Sequence, residues 1–269
     1  MIDFEKRKKY LGGSDVAACL GLSRYKTPYQ LFIDKMEMDN RKEETEAMYF
    51  GNQLESLVRN EFERRTGKKV LQKYIEIINP KYPWLIAHPD GTLEGDPLRI
   101  LECKTTRWFN KEDWGDENSD SIPIPYICQV AAYCIVLDSI SPVEGVDIAA
   151  LGSTSDIRFY KYERNPELET LIIEKTKAFY QNHMMTGVPP SPNHNDDISK
   201  IYKIAKKESV MVATNELVSK TEELKSLSEQ IKELEEKEQL LKNEIQLEMQ
   251  ENETLISISG DSLIAWKNM

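Results

Sequence analysis

No stretch of about 18 apolar residues occurs in these 269 residues, which excludes a transmembrane helix. The most apolar window, Ile127 to Leu137, is short and already carries Gln129. Histidine is scarce, and His88, His183 and His194 show no zinc-ligand spacing. The four cysteines (Cys19, Cys103, Cys128, Cys134) sit in apolar sequence and form no CxxC pair. That speaks against a zinc ribbon, an iron–sulfur site or a disulfide framework, and for a reducing cytosol. Gly and Pro, at 12 each, are too few for a collagen, mucin or wholly disordered chain. Met1 to Tyr10 is polar and charged, without the apolar stretch of a secretory leader. A positive surplus is missing as well: 35 basic side chains face 46 acidic ones, for a net charge of −11. Split at residue 200, the two parts carry −6 and −5, so neither is a basic coat for a polyanion. Any contact with nucleic acid must be local, in a cleft or channel with its own cations.

What is present divides at Gly187-Val188-Pro189-Pro190-Ser191-Pro192-Asn193-His194-Asn195, a proline-rich stretch that cannot continue a helix. Residues 1–187 alternate helical and strand patterns and predict a mixed α/β domain. Residues 188–197 read as a linker, and 198–269 as a helical appendage with a hairpin. In the appendage Val210, Leu217, Leu224, Ile231 and Ile245 recur at sevens, interrupted by Glu238, and Leu227, Leu234 and Leu241 fill d positions. The pattern is that of a coiled coil, or of one amphipathic helix lying on the first domain. Leu255 to Ser259 and Ser262 to Trp266, joined by Gly260-Asp261, predict a short hairpin. Near the N-terminus Ser14 is a candidate N-cap for a helix over Val16 to Leu20. Thr27 caps a second helix with Pro28 at its first position. A third helix is expected from about Glu43 to Thr66, ending at Gly67, with Met48, Leu54, Leu57, Val58 and Phe62 on one face.

The chemistry concentrates in Pro89-Asp90-Gly91 and the strand pattern Leu98 to Thr105. Residues two apart on a strand share a face, so Glu102 and Lys104 project together while Leu101 and Cys103 face a core. A turn at Asp90 just before this strand places a second carboxylate within reach of Glu102. Two converging carboxylates suit a hard cation such as Mg²⁺ or Mn²⁺, and an adjacent lysine suits a water or a phosphate. Read alone, Asp90-Gly91 is equally a plain turn and Glu102–Lys104 an exposed ion pair. Glu55 lies on the third helix, and Gln129 is the one amide on the nearly all-apolar stretch Tyr126 to Tyr133. Gln129 is either a satisfied core residue or part of a polar site.

Six segments occur together and in order: Gly12-Gly13-Ser14-Asp15, Thr27-Pro28, Gly51-x-x-x-Glu55, Pro89-Asp90-Gly91, Glu102-x-Lys104 and Tyr126-x-x-Gln129. In this combination the chain, over about residues 5–190, resembles the YqaJ-type viral recombinase nucleases, relatives of phage lambda exonuclease in the PD-(D/E)XK superfamily. The resemblance implies a restriction-endonuclease-like α/β core, a central mixed sheet flanked by helices, with the long helix and hairpin appended. It implies that Asp90 and Glu102 ligate Mg²⁺ (or Mn²⁺) with the Cys103 carbonyl, and that Glu55 completes the metal site. It implies further that Lys104 acts on the attacking water and that Gln129 supports the site. Arg7 and Ser14, by their spacing, resemble the pair that grips the terminal 5′-phosphate in lambda exonuclease. His88 stands where that enzyme has a phosphate-touching serine.

The activity so implied is 5′→3′ resection of double-stranded DNA ends, leaving a 3′ overhang for a phage single-strand annealing protein. It would take place in the bacterial cytoplasm without a membrane. Some relatives form rings around DNA, usually trimers, and a homo-oligomeric ring suits an acidic chain because cations need line only its channel. The appended heptad helix is then either a docking module for the annealing protein or an oligomerisation element. Two rivals stand beside this reading: a PD-(D/E)XK endonuclease that also cuts circles, and a non-catalytic scaffold that binds DNA ends. CRISPR-associated iron–sulfur nucleases lack support, because the cysteines are not clustered.

Overall fold

A computed structural model describes residues 9–36, 45–72, 76–95, 97–106, 113–152, 156–192, 195–202 and 209–265. By its contacts the chain forms two compact units, Met1–Lys203 and Ile204–Met269.

The first unit is built on a five-stranded mixed sheet. Its order is β2 (Val70–Gln72), β5 (Gly91–Leu93), β6 (Leu98–Thr106), β7 (Val143–Gly152) and β8 (Asp156–Glu163). The β6–β7 pair is parallel, in register from Arg99↔Gly145 to Thr106↔Gly152, and the other pairs are antiparallel. Parallel neighbours need a long crossover, and here it contains α4 (Ile124–Leu137). A smaller sheet joins β1 (Leu11–Gly12), β4 (Leu85–Ala87) and β3 (Ile77–Ile78).

Side-chain alternation on the central strands creates two cores. Ile100, Ile148 and Ala150 face one side, where Val16 of α1 (Gly13–Cys19), Leu31 of α2 (Pro28–Met36), Val130 of α4 and Ile172 of α5 (Pro166–Phe179) cover them. Leu101, Ala149 and Leu151 face the other side, onto Val58 and Phe62 of α3 (Glu46–Thr66). Strand β7 is thus buried on both faces, as its run Val146 to Leu151 implies. The result is the three-layer α/β/α core expected from the sequence.

Local signals mostly hold. Thr27 Oγ1 accepts the Gln30 N–H at 3.1 Å, and α2 starts at Pro28. Gly67 stops α3 with φ +71. Three expectations are corrected. The N-cap of α1 is Gly12 rather than Ser14: the Asp15 carboxylate accepts the Gly12 N–H at 3.0 Å, and the helix starts a residue before Ser14. Leu57 is exposed, because the apolar face of α3 runs through Leu54, Val58 and Phe62 instead. Val210 lies upstream of the C-terminal helix, whose cap is Thr214. The side chain of Met48 lies outside what is described.

After α5 a π-helical turn, Tyr180–Met184, leads to α6 (Asn195–Ile201). Buried Asp197 of α6 accepts hydrogen bonds from Thr27 Oγ1 at 2.8 Å and Gln30 Nε2 at 3.0 Å.

The second unit consists of α7 (Asn215–Met249) and the hairpin β9 (Thr254–Ile256) and β10 (Ser262–Ala265). Thr214 Oγ1 accepts the Leu217 N–H at 3.3 Å, and Gly260 turns the hairpin at φ +89. Residues 215–244 are all exposed.

Candidate active site

Strand β6 carries the site because its two faces differ. Leu101 and Cys103 point into the core under α3, whereas Glu102 and Lys104 point towards α4. The β5–β6 hairpin aligns Gly91 with Leu101, which brings Asp90 alongside: its Oδ2 accepts the Cys103 N–H at 2.7 Å. Lys104 Nζ donates to Glu102 Oε1 at 2.6 Å and to Gln129 Oε1 at 2.9 Å. Gln129 Nε2 in turn donates to Glu102 Oε1 at 2.7 Å and to the Tyr133 hydroxyl at 2.8 Å. Of the two readings open for Gln129, the polar site is the one realised. Lys104 Nζ also lies 4.8 Å from the centroid of the Tyr126 ring, within cation–π range.

Asp90, Glu102, Cys103, Lys104 and Tyr126 line a cavity of about 300 Å³ together with Glu55, Gly51 and Asn52 of α3, with Gln129 and Tyr133 behind them. Glu55 is half-buried, with Arg59 3.8 Å away on the next turn. Burial lifts the Asp90 carboxyl well above its ordinary value, and the Glu102 charge lifts it further. Burial raises Glu102 too, against the pull of Lys104. For Lys104 burial lowers the value, but the contact with Glu102 outweighs it and the net shift is upward. The lysine is therefore an ammonium at neutral pH.

Whether the pocket suits a divalent ion is decided by its donors. Glu102 Oε2 is buried and accepts no hydrogen bond, at a cost of about 1–3 kcal/mol for an unsatisfied acceptor. An unsatisfied oxygen and the buried, crowded Asp90 carboxyl beside it are what a hard cation relieves. Cys103 offers only its carbonyl, since its thiol packs in the α3-side core and burial pushes it far above the usual thiol value. Among the described residues no group of three or more His, Cys, Asp or Glu side chains is placed to hold an ion. The pocket therefore fits a cation through the Asp90–Glu102 pair, with Glu55 on the facing wall and not drawn into a third ligand position.

The residues expected at a 5′-phosphate are less gathered. Ser14 is exposed on the first turn of α1. His88 Nε2 lies 3.2 Å from Glu76 Oε2, and His88 is not among the cavity's lining residues. Arg7 lies outside the described residues. Asp15 of the glycine-rich segment has a bracing role that the sequence did not disclose. It accepts from buried Lys35 Nζ at 2.6 Å, and the same ammonium donates to the Tyr10 carbonyl at 2.8 Å. Sequence reasoning also passed over Tyr133. Its signal was available: a hydroxyl four residues after Gln129 shares that residue's helical face.

Comparison with known proteins gives the family and the fold. The YqaJ-like viral recombinase domain matches residues 4–139. Uncharacterized protein YqaJ of Bacillus subtilis (strain 168) is 36% identical over 187 residues, 69% of this chain and 57% of that protein. The chain thus spans little more than half the length of that curated relative. Among solved structures, the alkaline exonuclease LHK-Exo from Laribacter hongkongensis superposes with a TM-score of 0.53 at 19% identity, covering 68% of this chain and 92% of its own. A putative exonuclease from Eubacterium rectale gives 0.52 at 11% identity, covering 77% and 93%. At such identities the structural likeness is one of fold. With half of the sequence matched by the domain, the chain belongs to the YqaJ-like viral recombinase family.

Proposed function

We propose that the protein is a Mg²⁺-dependent 5′→3′ exonuclease on double-stranded DNA, producing 3′ single-stranded overhangs for phage-type recombination by strand annealing. The observation that supports it most is the joining of Glu102, Lys104 and Gln129 in one hydrogen-bonded group beside Asp90. A plain surface ion pair has no use for a buried amide bridging both partners.

In this reading Asp90, Glu102 and the Cys103 carbonyl would hold the Mg²⁺ or Mn²⁺ ion, with Glu55 across the cavity. Bound there, it would supply a water nucleophilic near neutral pH and offset charge on the scissile phosphate. Lys104, kept protonated by Glu102, gives two N–H groups to Glu102 and Gln129 and turns its remaining one to the attacking water, holding it at the phosphate. Gln129 fixes Glu102 and Lys104 in one arrangement, and Tyr133 fixes Gln129. Arg7, Ser14 and His88 serve the terminal 5′-phosphate, for which His88 must leave Glu76. The nuclease work is assigned to residues 1–187, joined by 188–197 to the appendage 198–269. The working form is a homo-oligomeric ring, a trimer by analogy with relatives, with a phage annealing protein as partner in the host cytoplasm. Among the described residues no helix is long and apolar enough to cross a membrane.

The test is linear duplex labelled at the 5′ or the 3′ end, incubated with Mg²⁺ or with chelator, beside closed circles and a Lys104→Ala protein. The expected outcome is Mg²⁺-dependent loss from 5′ ends, intact circles and an inactive variant. Cleaved circles would make the protein an endonuclease. Bound but uncut ends under every metal would make it a scaffold.

A further inference from the structure

We infer that α7 is one half of an antiparallel two-helix coiled coil, and that its partner is the same helix of a second copy of this chain. The helix covers 35 residues, and its seam residues Leu224, Leu227, Ile231, Leu234 and Leu241 are each about half exposed or more. A narrow apolar seam repeating at 3.5 residues matches another helix with the same repeat.

Charge selects the occupant and its direction. Over residues 217–241 the seam has two polar interruptions, Lys220 at a d position and Glu238 at an a position; Glu248, at the next d position, lies beyond that stretch. In a parallel pair each residue meets its own copy. Lys220 would face Lys220 and Glu238 would face Glu238 inside the seam, while Lys237 at a flanking g position would face Lys242 at e. In an antiparallel pair centred on Glu229 the conflict disappears. The layers become Leu217 with Leu241, Lys220 with Glu238, Leu224 with Leu234, and Leu227 with Ile231, each occurring twice by symmetry. The two interruptions meet as opposite charges, and at the flanking g positions Glu223 faces Lys237. Gln230 faces its own copy; the remaining flanking neighbours are Thr221 with Glu235, Ser228 with Ser228 and Lys242 with Thr214. One like-charged pair remains, Glu216 with Glu244, at the ends of the overlap. Within one helix Lys220 pairs with Glu216 and Glu238 with Lys242, each at 2.7 Å and well exposed. Such surface pairs are worth little, so exchanging them across the seam costs little. The contact is isologous and closes at two, so it doubles whatever assembly the nuclease unit forms by itself.

The experiment is sedimentation of the full-length protein over a range of concentrations, with Leu227→Lys, Lys220→Glu, Glu238→Lys and the double swap K220E/E238K. Wild type is expected at twice the limiting mass of Leu227→Lys. Each single swap sets like charges opposite one another at two layers and should weaken association more than about tenfold. The double swap restores the opposite pairs and should return to near wild-type association. Rescue separates the seam from mere helix loosening, because the double swap keeps both losses of the intrahelical pairs. The inference fails if wild type and Leu227→Lys have equal mass, as a helix reserved for a different protein would give. It fails also if the single swaps associate as wild type does, which a parallel pair predicts, or if the double swap is no better than the singles.

Discussion

Replacing Gly13 by alanine adds one methyl group at the closest approach of α1 to α4. A Cβ built there lies 2.6 Å from Tyr133 Cε1 and 3.1 Å from the Gln129 carbonyl oxygen. Carbon contacts settle at about 3.5–4.0 Å, so the Tyr133 ring must withdraw by roughly 1 Å, since helix backbone cannot. The Tyr133 hydroxyl holds Gln129 Nε2 at 2.8 Å, and that displacement carries it out of hydrogen-bond range. Overpacking of this kind costs about 1–3 kcal/mol. At roughly 2–4 °C per kcal/mol for a domain of this size, the melting temperature should fall by about 2–12 °C. The more telling consequence is coupling. Tyr133→Phe alone should slow cleavage, because Gln129 then loses the anchor that aligns Glu102 and Lys104. In the Gly13→Ala background, where that bond is already gone, Tyr133→Phe should slow it little further. Thermal melts and initial cleavage rates of the four proteins measure both effects. A Gly13→Ala protein as stable as wild type, or rate losses that multiply across the pair, would refute the reasoning.

Two further perturbations separate charge from chemistry. The Asp90 carboxyl is raised by burial and by Glu102, so its favourable contribution is full below the ordinary value of 3.8 and is lost as pH rises through the higher folded value. Metal-free Asp90→Asn should therefore be more stable than wild type at pH 7, equal to it near pH 3, and inactive, and it should lose the rise in melting temperature that Mg²⁺ gives wild type; chelated melts against pH showing no neutral-pH advantage would contradict this. Lys104→Ala leaves Glu102 buried without its cation and should cost about 3–5 kcal/mol, whereas Lys104→Ala with Glu102→Gln should regain most of that stability and no activity, as denaturant unfolding and cleavage assays would register.

Much of this site was legible because β-structure has a period of two. That period alone put Glu102 and Lys104 on one face and Leu101 and Cys103 on the other, and the hairpin from Asp90 follows from a Pro-Asp-Gly turn. Gln129 was visible as the one amide in an apolar run, but not its bonds, which depend on how α4 crosses β6. Ser14 misled because a hydroxyl beside a glycine pair reads as a cap, whereas here the acid at N3 reaches back to the N–H of Gly12 and the helix starts earlier. Val210 extended the heptad on paper, but Thr214 caps the helix after it. His88 next to a functional turn gave no hint of Glu76, which arrives from the neighbouring β3 side of the chain.

The two cores described above are unequal, and the inequality bears on which wall of the cavity is the firmer. The side of the sheet that holds Gln129 is closed by four helices, whereas α3, which carries Glu55, rests on a small cluster centred on Val58 and Phe62. Segments with fewer buried apolar contacts open at lower free energy. The wall bearing Gln129 is therefore the firmer of the two, and amide hydrogen exchange should show α3 opening more readily than α4. The Glu102–Lys104–Gln129 group is anchored to the well-covered side of β6, whereas Glu55 approaches the same strand from the side with less packed against it.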